Sequence, residues 1–266
     1  MTDFKRKTIW ITGASSGIGK ALVKALAGKG AFLVLSARRK SVLETVKNEY
    51  GLNETNSLLL PFDLENTTNI DEYTSQVIKR FGRIDILINN GGASQRAMAI
   101  DTPIALDRKL MELNYFGPIA VTKSVLPYMK KQGQGHIVVI SSISGKFGFY
   151  LRSAYSAAKH ALHGFFESLR MEVYKEHIQV LLVCPGKIAT DISRNALTAS
   201  GNTFGQMDKA QADGMSADRC AQEIISAILM NKEEIYVGHR REGLGLWIKR
   251  FFPALFSRII RKQKIE

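Results

Sequence analysis

Hydrophobic and polar positions follow two rhythms along this chain. Short runs rich in β-branched and aliphatic residues, at 8–12, 31–36, 57–62, 84–89, 136–141, 178–184 and 234–237, predict seven strands. Between them, 20–28, 40–50, 66–81, 102–131, 153–175 and 217–230 carry helical spacing, with 102–131 read as two helices or one bent one. Gly28, Gly30 and Gly133 mark helix ends, and Asn66 or Thr67 offers an N-cap. The strand runs are apolar without alternation, so both sheet faces are buried, as in a parallel sheet. Strand–helix succession then predicts one α/β domain over residues 1–240, a doubly wound parallel seven-stranded sheet with helices on both faces.

Residues 241–266 form a separate tail. Leu244, Trp247, Ile248, Phe251, Phe252, Leu255, Phe256 and Ile259 recur at amphipathic-helix spacing, and Pro253 breaks or bends that helix near Phe252. Lys249, Arg250, Arg261 and Lys264 fall on the other face, with Arg258 and Lys262 nearer the apolar edge. Aromatic residues opposite Lys and Arg suit a helix lying in a membrane interface. Packing on the body, on a second subunit or over the substrate mouth stands beside that reading.

Composition narrows the class of protein. With 45% hydrophobic and 23% charged residues, the chain is neither disordered nor fibrous. The longest stretch free of Lys, Arg, Asp and Glu, 132–145, includes Gln, His and Ser, so no segment reads as a spanning helix. The net charge of +13 is uneven: the last 28 residues, from His239, carry eight Lys/Arg and two Glu. Such a balance admits nucleic acid, a membrane surface or an anionic substrate. No aromatic–basic nucleic-acid motif accompanies it, so no nucleic-acid partner is expected. Cys184 and Cys220 form no C-x-x-C, and none of the five histidines has metal-ligand spacing, so neither disulfides nor a metal are expected. Lys5, Arg6 and Lys7 before an apolar run imitate a signal peptide, but the run ends at once in glycines. A cytoplasmic protein, or one peripheral to a membrane, is expected.

The first strand runs into Thr12-Gly13-Ala14-Ser15-Ser16-Gly17-Ile18-Gly19 and then a helix. Glycines there let the backbone turn sharply and approach a ligand, and the helix N-terminus offers free N–H groups to a pyrophosphate. The spacing is G-x-x-x-G-x-G, and its place at the first strand–helix junction predicts a Rossmann-type dinucleotide site. The second strand ends Leu35-Ser36-Ala37-Arg38-Arg39, with no carboxylate for the ribose hydroxyls. Arginines suit a 2′-phosphate, so NADP(H) is favoured over NAD(H), through Arg38 and Arg39.

Tyr155 and Lys159 lie four apart in the helix after the fifth strand, so phenol and ammonium share a face. A nearby cation favours the phenolate and would let the tyrosine exchange a proton near neutral pH. Ser141 and Ser142 at the end of the fifth strand, Asn89 and Asn90, and the glycine turn all fall on the carboxyl edge of the sheet, where open α/β sheets bind ligands.

With these elements in order, the sequence resembles the short-chain dehydrogenase/reductase family. The resemblance rests on TGASSGIG at 12–19, Asp63, NNGG at 89–92, Asn114, Ser142, Tyr155 with Lys159, and Pro185-Gly186 followed by Thr190. It implies an enzyme that reduces a carbonyl to a secondary alcohol by hydride transfer from NADPH. Tyr155 would then be the proton donor, Lys159 would lower its pKa and hold the nicotinamide ribose, Ser142 would bind the substrate oxygen, and Asn114 would hold a water. Gly13, Ser15, Ser16, Gly17, Ile18 and Gly19 would bind the pyrophosphate side. Asp63 and Leu64 would meet adenine, Asn90 and Gly91 the adenosine side, and Pro185, Gly186, Ile188 and Thr190 the nicotinamide end. Gly91 departs from the family's usual alanine. The resemblance also implies a homodimer or homotetramer through the helices at 104–131 and 153–175.

Substrate choice is expected in 187–215, whose polar, glycine-bearing centre is of the kind that moves as a lid. The run 195–209 with the basic aromatic tail is similar to the acyl- or alkyl-dihydroxyacetone-phosphate reductase-like branch, which implies a lipid-like ketone. A 3-oxoacyl-thioester reductase and an NAD(P)-dependent alcohol, steroid or sugar dehydrogenase are the alternatives within enzymes. A non-catalytic cofactor-binding regulator is the alternative class, disfavoured because it needs no proton donor.

Overall fold

The computed structural model describes residues 3–262. Its first half comprises β1 (Thr8–Thr12), α1 (Gly17–Leu26), β2 (Phe32–Ser36), α2 (Lys40–Glu49), β3 (Ser57–Leu59), α3 (Ile70–Phe81) and β4 (Ile86–Asn89). The chain continues through α4 (Ile104–Met111), a π-turn (Glu112–Phe116), α5 (Gly117–Gln132), β5 (Gly135–Ile140), α6 (Ser153–Glu172) and β6 (Ile178–Pro185). It ends with β7 (Ile188–Ala189), α7 (Lys209–Ala212), β8 (Met215–Ser216), α8 (Ala217–Leu229), β9 (Glu234–Val237), α9 (Arg240–Phe251) and α10 (Pro253–Ile260).

Seven strands pair in the order β3-β2-β1-β4-β5-β6-β9, and every pair is parallel. The single α/β domain and its doubly wound seven-stranded sheet agree with the sequence pattern. All five residues of β1 are buried, which explains why the run reads as continuously apolar. Ile9 and Ile11 enter one core with Leu22 and Val23 of α1, Leu43 of α2 and Ile224 of α8. Trp10 points to the opposite core with Val77 of α3, Val125 of α5 and Phe166 of α6. Its indole nitrogen donates to Ser36 Oγ at 2.8 Å, which satisfies the one polar atom of that ring.

Several boundaries differ from expectation. β3 stops at Leu59 rather than 62, leaving Leu60 and Phe62 buried outside the ladder. α3 begins at Ile70, because Asp63 and Asn66 accept backbone N–H groups two residues on and hold 63–68 in turns. Residues 104–132 are one helical run interrupted at 112–116 by the π-turn. There Asn114 Nδ2 donates to the Leu110 carbonyl at 2.9 Å, the acceptor its own N–H would use in an α-turn.

The tail forms two helices that meet at Phe252–Pro253, the expected break. Phe256 is buried against Phe147, ring centroids 4.8 Å apart, in a cluster with Ile143, Leu246 and Ile248. The opposite side leaves Leu244, Trp247, Phe251, Phe252, Leu255 and Ile259 exposed. The tail therefore docks on the body with one apolar face and presents a second to its surroundings. Lys264 lies outside the described residues. Among the described residues no helix is long and apolar enough to cross a membrane.

Candidate functional site

A cleft of about 810 Å³ opens along the carboxyl edge of the sheet, over the point where β1 adjoins both β2 and β4. Strand order reverses at that point, and the loops diverge to leave a crevice. Gly13, Ser15, Ser16, Gly17 and Ile18 form its floor beside β1, Arg38 and Arg39 one end, and Asp63 and Leu64 the adjoining wall. Asn90, Gly91, Asn114, Ser142, Tyr155 and Lys159 line the centre, and Pro185, Gly186, Ile188 and Thr190 the far side.

Gly19 is the exception among the expected cofactor residues, for it does not line the cleft. A Cβ there would stand 2.1 Å from the Gly13 carbonyl oxygen and 2.5 Å from Asn90 Nδ2. Its smallness lets α1 pack against the turn. Gly17 has φ +53°, and a Cβ on it would come 3.2 Å from Thr190 Cγ2, so the segment after β6 closes directly over the turn. Asn90 braces the turn from the other side, its amide donating to the Thr12 and Gly13 carbonyls at 3.0 and 3.1 Å. At Gly91, where the sequence departs from alanine, a Cβ would approach Leu64 Cδ1 to 2.5 Å. The leucine fills the room an alanine would take.

The floor fits the pyrophosphate of a dinucleotide. Ser16 caps α1 without a side-chain bond, and the first turn holds no acid, so its leading N–H groups face the cleft without a competing carboxylate. The same holds for α2, capped by Arg39. Arg38 and Arg39 are exposed at the cleft's end, where no carboxylate of α2's first turn competes for an anion.

α6 delivers Tyr155 and Lys159 from one helical face, both buried. Its N-terminus is held by Gln95, whose Oε1 accepts from the Ala154 and Tyr155 N–H groups at 2.9 and 3.3 Å. Burial pushes the Tyr155 phenol up. The Ser142 hydroxyl and the charges of Arg152 and Arg96 oppose that rise. Burial lowers Lys159 to about 8, and its ammonium donates to the Ile140 carbonyl at 2.9 Å. The same ammonium lies 5.8 Å from the centroid of the Tyr155 ring. Ser142 sits at the start of a 3₁₀ turn, accepting the Ser144 N–H at 3.1 Å, and Phe256 of the tail packs against that turn through Ile143. Asn114 is fully buried, its amide tied to Ala93 and Leu110, and its Oδ1 converges with Lys159 Nζ on Gly92.

Four residues beside the site had no signal in the sequence. Gln95 and Arg96 follow the Asn-Asn-Gly-Gly motif, Arg152 precedes α6, and Asp208 reaches Arg96 across 112 positions. Arg152 is the one that a search upstream of Tyr155 would have raised.

Fold and cleft together place the protein among the dinucleotide-dependent oxidoreductases built on a Rossmann-type sheet. Comparison with known proteins narrows this. The family model described as short chain dehydrogenase matches residues 7–200, and the chain belongs to that family. It is an NAD(P)-dependent oxidoreductase. The chain is 40% identical over 264 residues to a dehydrogenase/reductase SDR family protein 7-like of Drosophila melanogaster, covering 98% of this chain and 81% of the fly protein. It is 40% identical to dehydrogenase/reductase SDR family member 7B of Mus musculus over 260 residues, 96% of this chain and 80% of the mouse protein. Among solved structures, a short-chain dehydrogenase from Streptomyces avermitilis shares 28% identity, with a TM-score of 0.80 over 96% of each chain. A short-chain dehydrogenase/reductase from Burkholderia phymatum, in complex with NAD, shares the fold at 21% identity and TM-score 0.85, over 96% of each chain.

Proposed function

We propose that the protein reduces a ketone on a small, lipid-like molecule to a secondary alcohol, with NADPH favoured over NADH. The bound cofactor supplies the hydride. Gly13, Ser15, Ser16, Gly17 and Ile18 receive the pyrophosphate on backbone N–H groups and the N-terminus of α1. Arg38 and Arg39 bind the 2′-phosphate, and Asp63 and Leu64 border the adenine. Pro185, Gly186, Ile188 and Thr190 cover the nicotinamide end, and Lys159 holds its ribose. Ser142 binds the substrate carbonyl oxygen, Tyr155 gives that oxygen its proton, and Asn114 holds a water that reconnects Lys159 to solvent.

One observation supports this reading above the others: Tyr155 and Lys159 are both buried on one face of α6 and line the centre of the cleft together with Ser142 and Asn114, which sets a proton-exchanging phenol beside the expected place of the nicotinamide. An NADPH-oxidation screen of ketones, with lipid phosphates, acyl thioesters and steroids side by side, tests it. Turnover of a ketone with NADPH at a higher kcat/KM than with NADH is expected. Turnover confined to acyl thioesters would favour the 3-oxoacyl alternative, and turnover only of alcohols with NAD would reverse the assignment.

The exposed tail face supports peripheral membrane contact. Trp247, Phe251 and Leu255 stand out from the body near exposed Arg250 and Arg258, a pairing of apolar and basic residues that suits an anionic bilayer. Trp247→Ser with Phe251→Ser should abolish sedimentation with phosphatidylglycerol vesicles, and unchanged sedimentation refutes the contact. Exposed Ile104, Phe116 and Met171 on α4, the π-turn and α6 support a homodimer or homotetramer through those helices, which light scattering reads directly.

A further inference from the structure

Beyond Tyr155, Arg96 and Arg152 line the cleft, and both pair with Asp208, which does not itself line it. Arg96 side-chain exposure is 3%, that of Arg152 23%, and that of Asp208 14%. Both arginines bond the same atom, Asp208 Oδ2, Arg152 at 3.4 Å. Arg96 also donates to the Gln95 carbonyl, and the Phe204 and Phe149 rings lie beside Arg96 and Arg152 at 5.9 and 5.8 Å. Buried charges are costly unless paired, and here two cations share one anion. The Nε of each arginine is buried with no hydrogen-bond partner, as is the hydroxyl of Ser193 on the same cleft.

The carboxylate comes from a different part of the chain. Arg96 lies just beyond β4 and Arg152 just before α6, both on the rigid body. Asp208 lies at the end of the 190–208 excursion, whose middle is tied to the body at Leu197: its N–H donates to the Ser94 carbonyl at 2.9 Å and its carbonyl accepts the Arg96 N–H at 2.8 Å. The excursion also forms the cleft wall through Ile192, Ser193 and Asn195. The carboxylate carried by this segment thus pairs with two guanidinium groups that line the cleft.

We propose that Arg96 and Arg152 form an anion subsite for the substrate, filled by Asp208 until a carboxylate or phosphate carried by the substrate displaces it. This rests on the carbonyl-reductase reading and deepens it by giving the substrate a second, anionic handle beside the reacting ketone. Planar forked donors suit either anion, and displacement of Asp208 couples substrate entry to movement of the 190–208 wall.

Two measurements on the full chain decide it. With the dinucleotide site saturated by NADP, calorimetry reads binding of glutarate and of inorganic phosphate. Both, or one of them, should bind. Arg152→Gln should weaken that binding at least about tenfold, and Asp208→Asn should tighten it by a similar factor. Absence of binding to both the wild type and Asp208→Asn, or weaker binding in Asp208→Asn, overturns the subsite. Kinetics then compares a keto-carboxylate, its methyl ester and a keto-phosphate of matched length. The ratio of anionic to neutral kcat/KM should exceed about ten in the wild type and collapse in Arg152→Gln. Preference between carboxylate and phosphate identifies the source of the anion. Equal use of ester and anion refutes the subsite while leaving ketone reduction standing. Anion binding without turnover of any ketone retains the subsite and refutes the reductase reading.

Discussion

Replacing Lys159 by methionine removes a buried ammonium while keeping an unbranched side chain of similar reach. Burial lowers the lysine from 10.5 to about 8, which corresponds to about 3 kcal/mol held against the charged form. Below pH 8 both folded and unfolded chains carry the proton and the full penalty is present. Between pH 8 and 10.5 the unfolded chain binds more protons than the folded one, so stability rises with pH. Above 10.5 both are neutral and the penalty is gone. Methionine escapes the penalty but loses the bond to the Ile140 carbonyl and leaves that acceptor unpaired, at about 1–2 kcal/mol. The variant should therefore be about 1–2 kcal/mol more stable than the wild type at pH 7, with its advantage falling by about 2 kcal/mol by pH 10. Urea unfolding of both proteins at equal concentration, at pH 7 and pH 10, reads the difference. A difference independent of pH, or a variant weaker by more than about 2 kcal/mol at pH 7, refutes the reasoning. Loss of turnover alongside a gain in stability is the signature of a residue kept for chemistry at the expense of the fold.

Other variants test separate parts of the account. Gly19→Ala forces a methyl into the Gly13 carbonyl at 2.1 Å, with the Asn90 side-chain amide at 2.5 Å, and should cost about 1–3 kcal/mol by urea unfolding. Unchanged stability would mean the turn yields more than this packing allows. Arg38→Ala combined with Arg39→Ala should raise the Kd for NADPH at least about tenfold in a fluorescence titration and leave that for NADH nearly unchanged. Equal loss for both cofactors would remove the 2′-phosphate role.

The alternation of strands and helices was legible because a parallel sheet buries both faces, and β1, β2 and β6 are apolar nearly throughout. The glycine turn, Ser142, Tyr155 and Lys159 were legible because their chemistry is local: each lies at a strand end or on one helical face. Long-range pairings were not. Gln95 holds the start of α6 across 59 positions, and Arg96 meets Asp208 across 112, with no local pattern to mark either pair. The two-residue ladder of β7 and β8 is too short to carry a period. The π-turn depends on where the Asn114 amide finds its partners. In the tail, periodicity and Pro253 marked the helical stretch and its break, but only packing against Phe147 reveals which of its apolar residues dock and which stay exposed. His163, Cys184 and Glu234 lie within 4.8 Å of one another, a grouping the spacing did not show. Burial holds that thiol up at about 12 and the imidazole down at about 4, so both stand neutral as packed, hydrogen-bonding side chains.

Tyr155→Phe tests the central claim most directly, since it deletes one buried hydroxyl and leaves the ring in place. With a ketone substrate in hand, the variant should still bind NADPH with the wild-type Kd, while kcat falls about 10²- to 10⁴-fold. Turnover at the wild-type rate with cofactor binding intact would contradict the account.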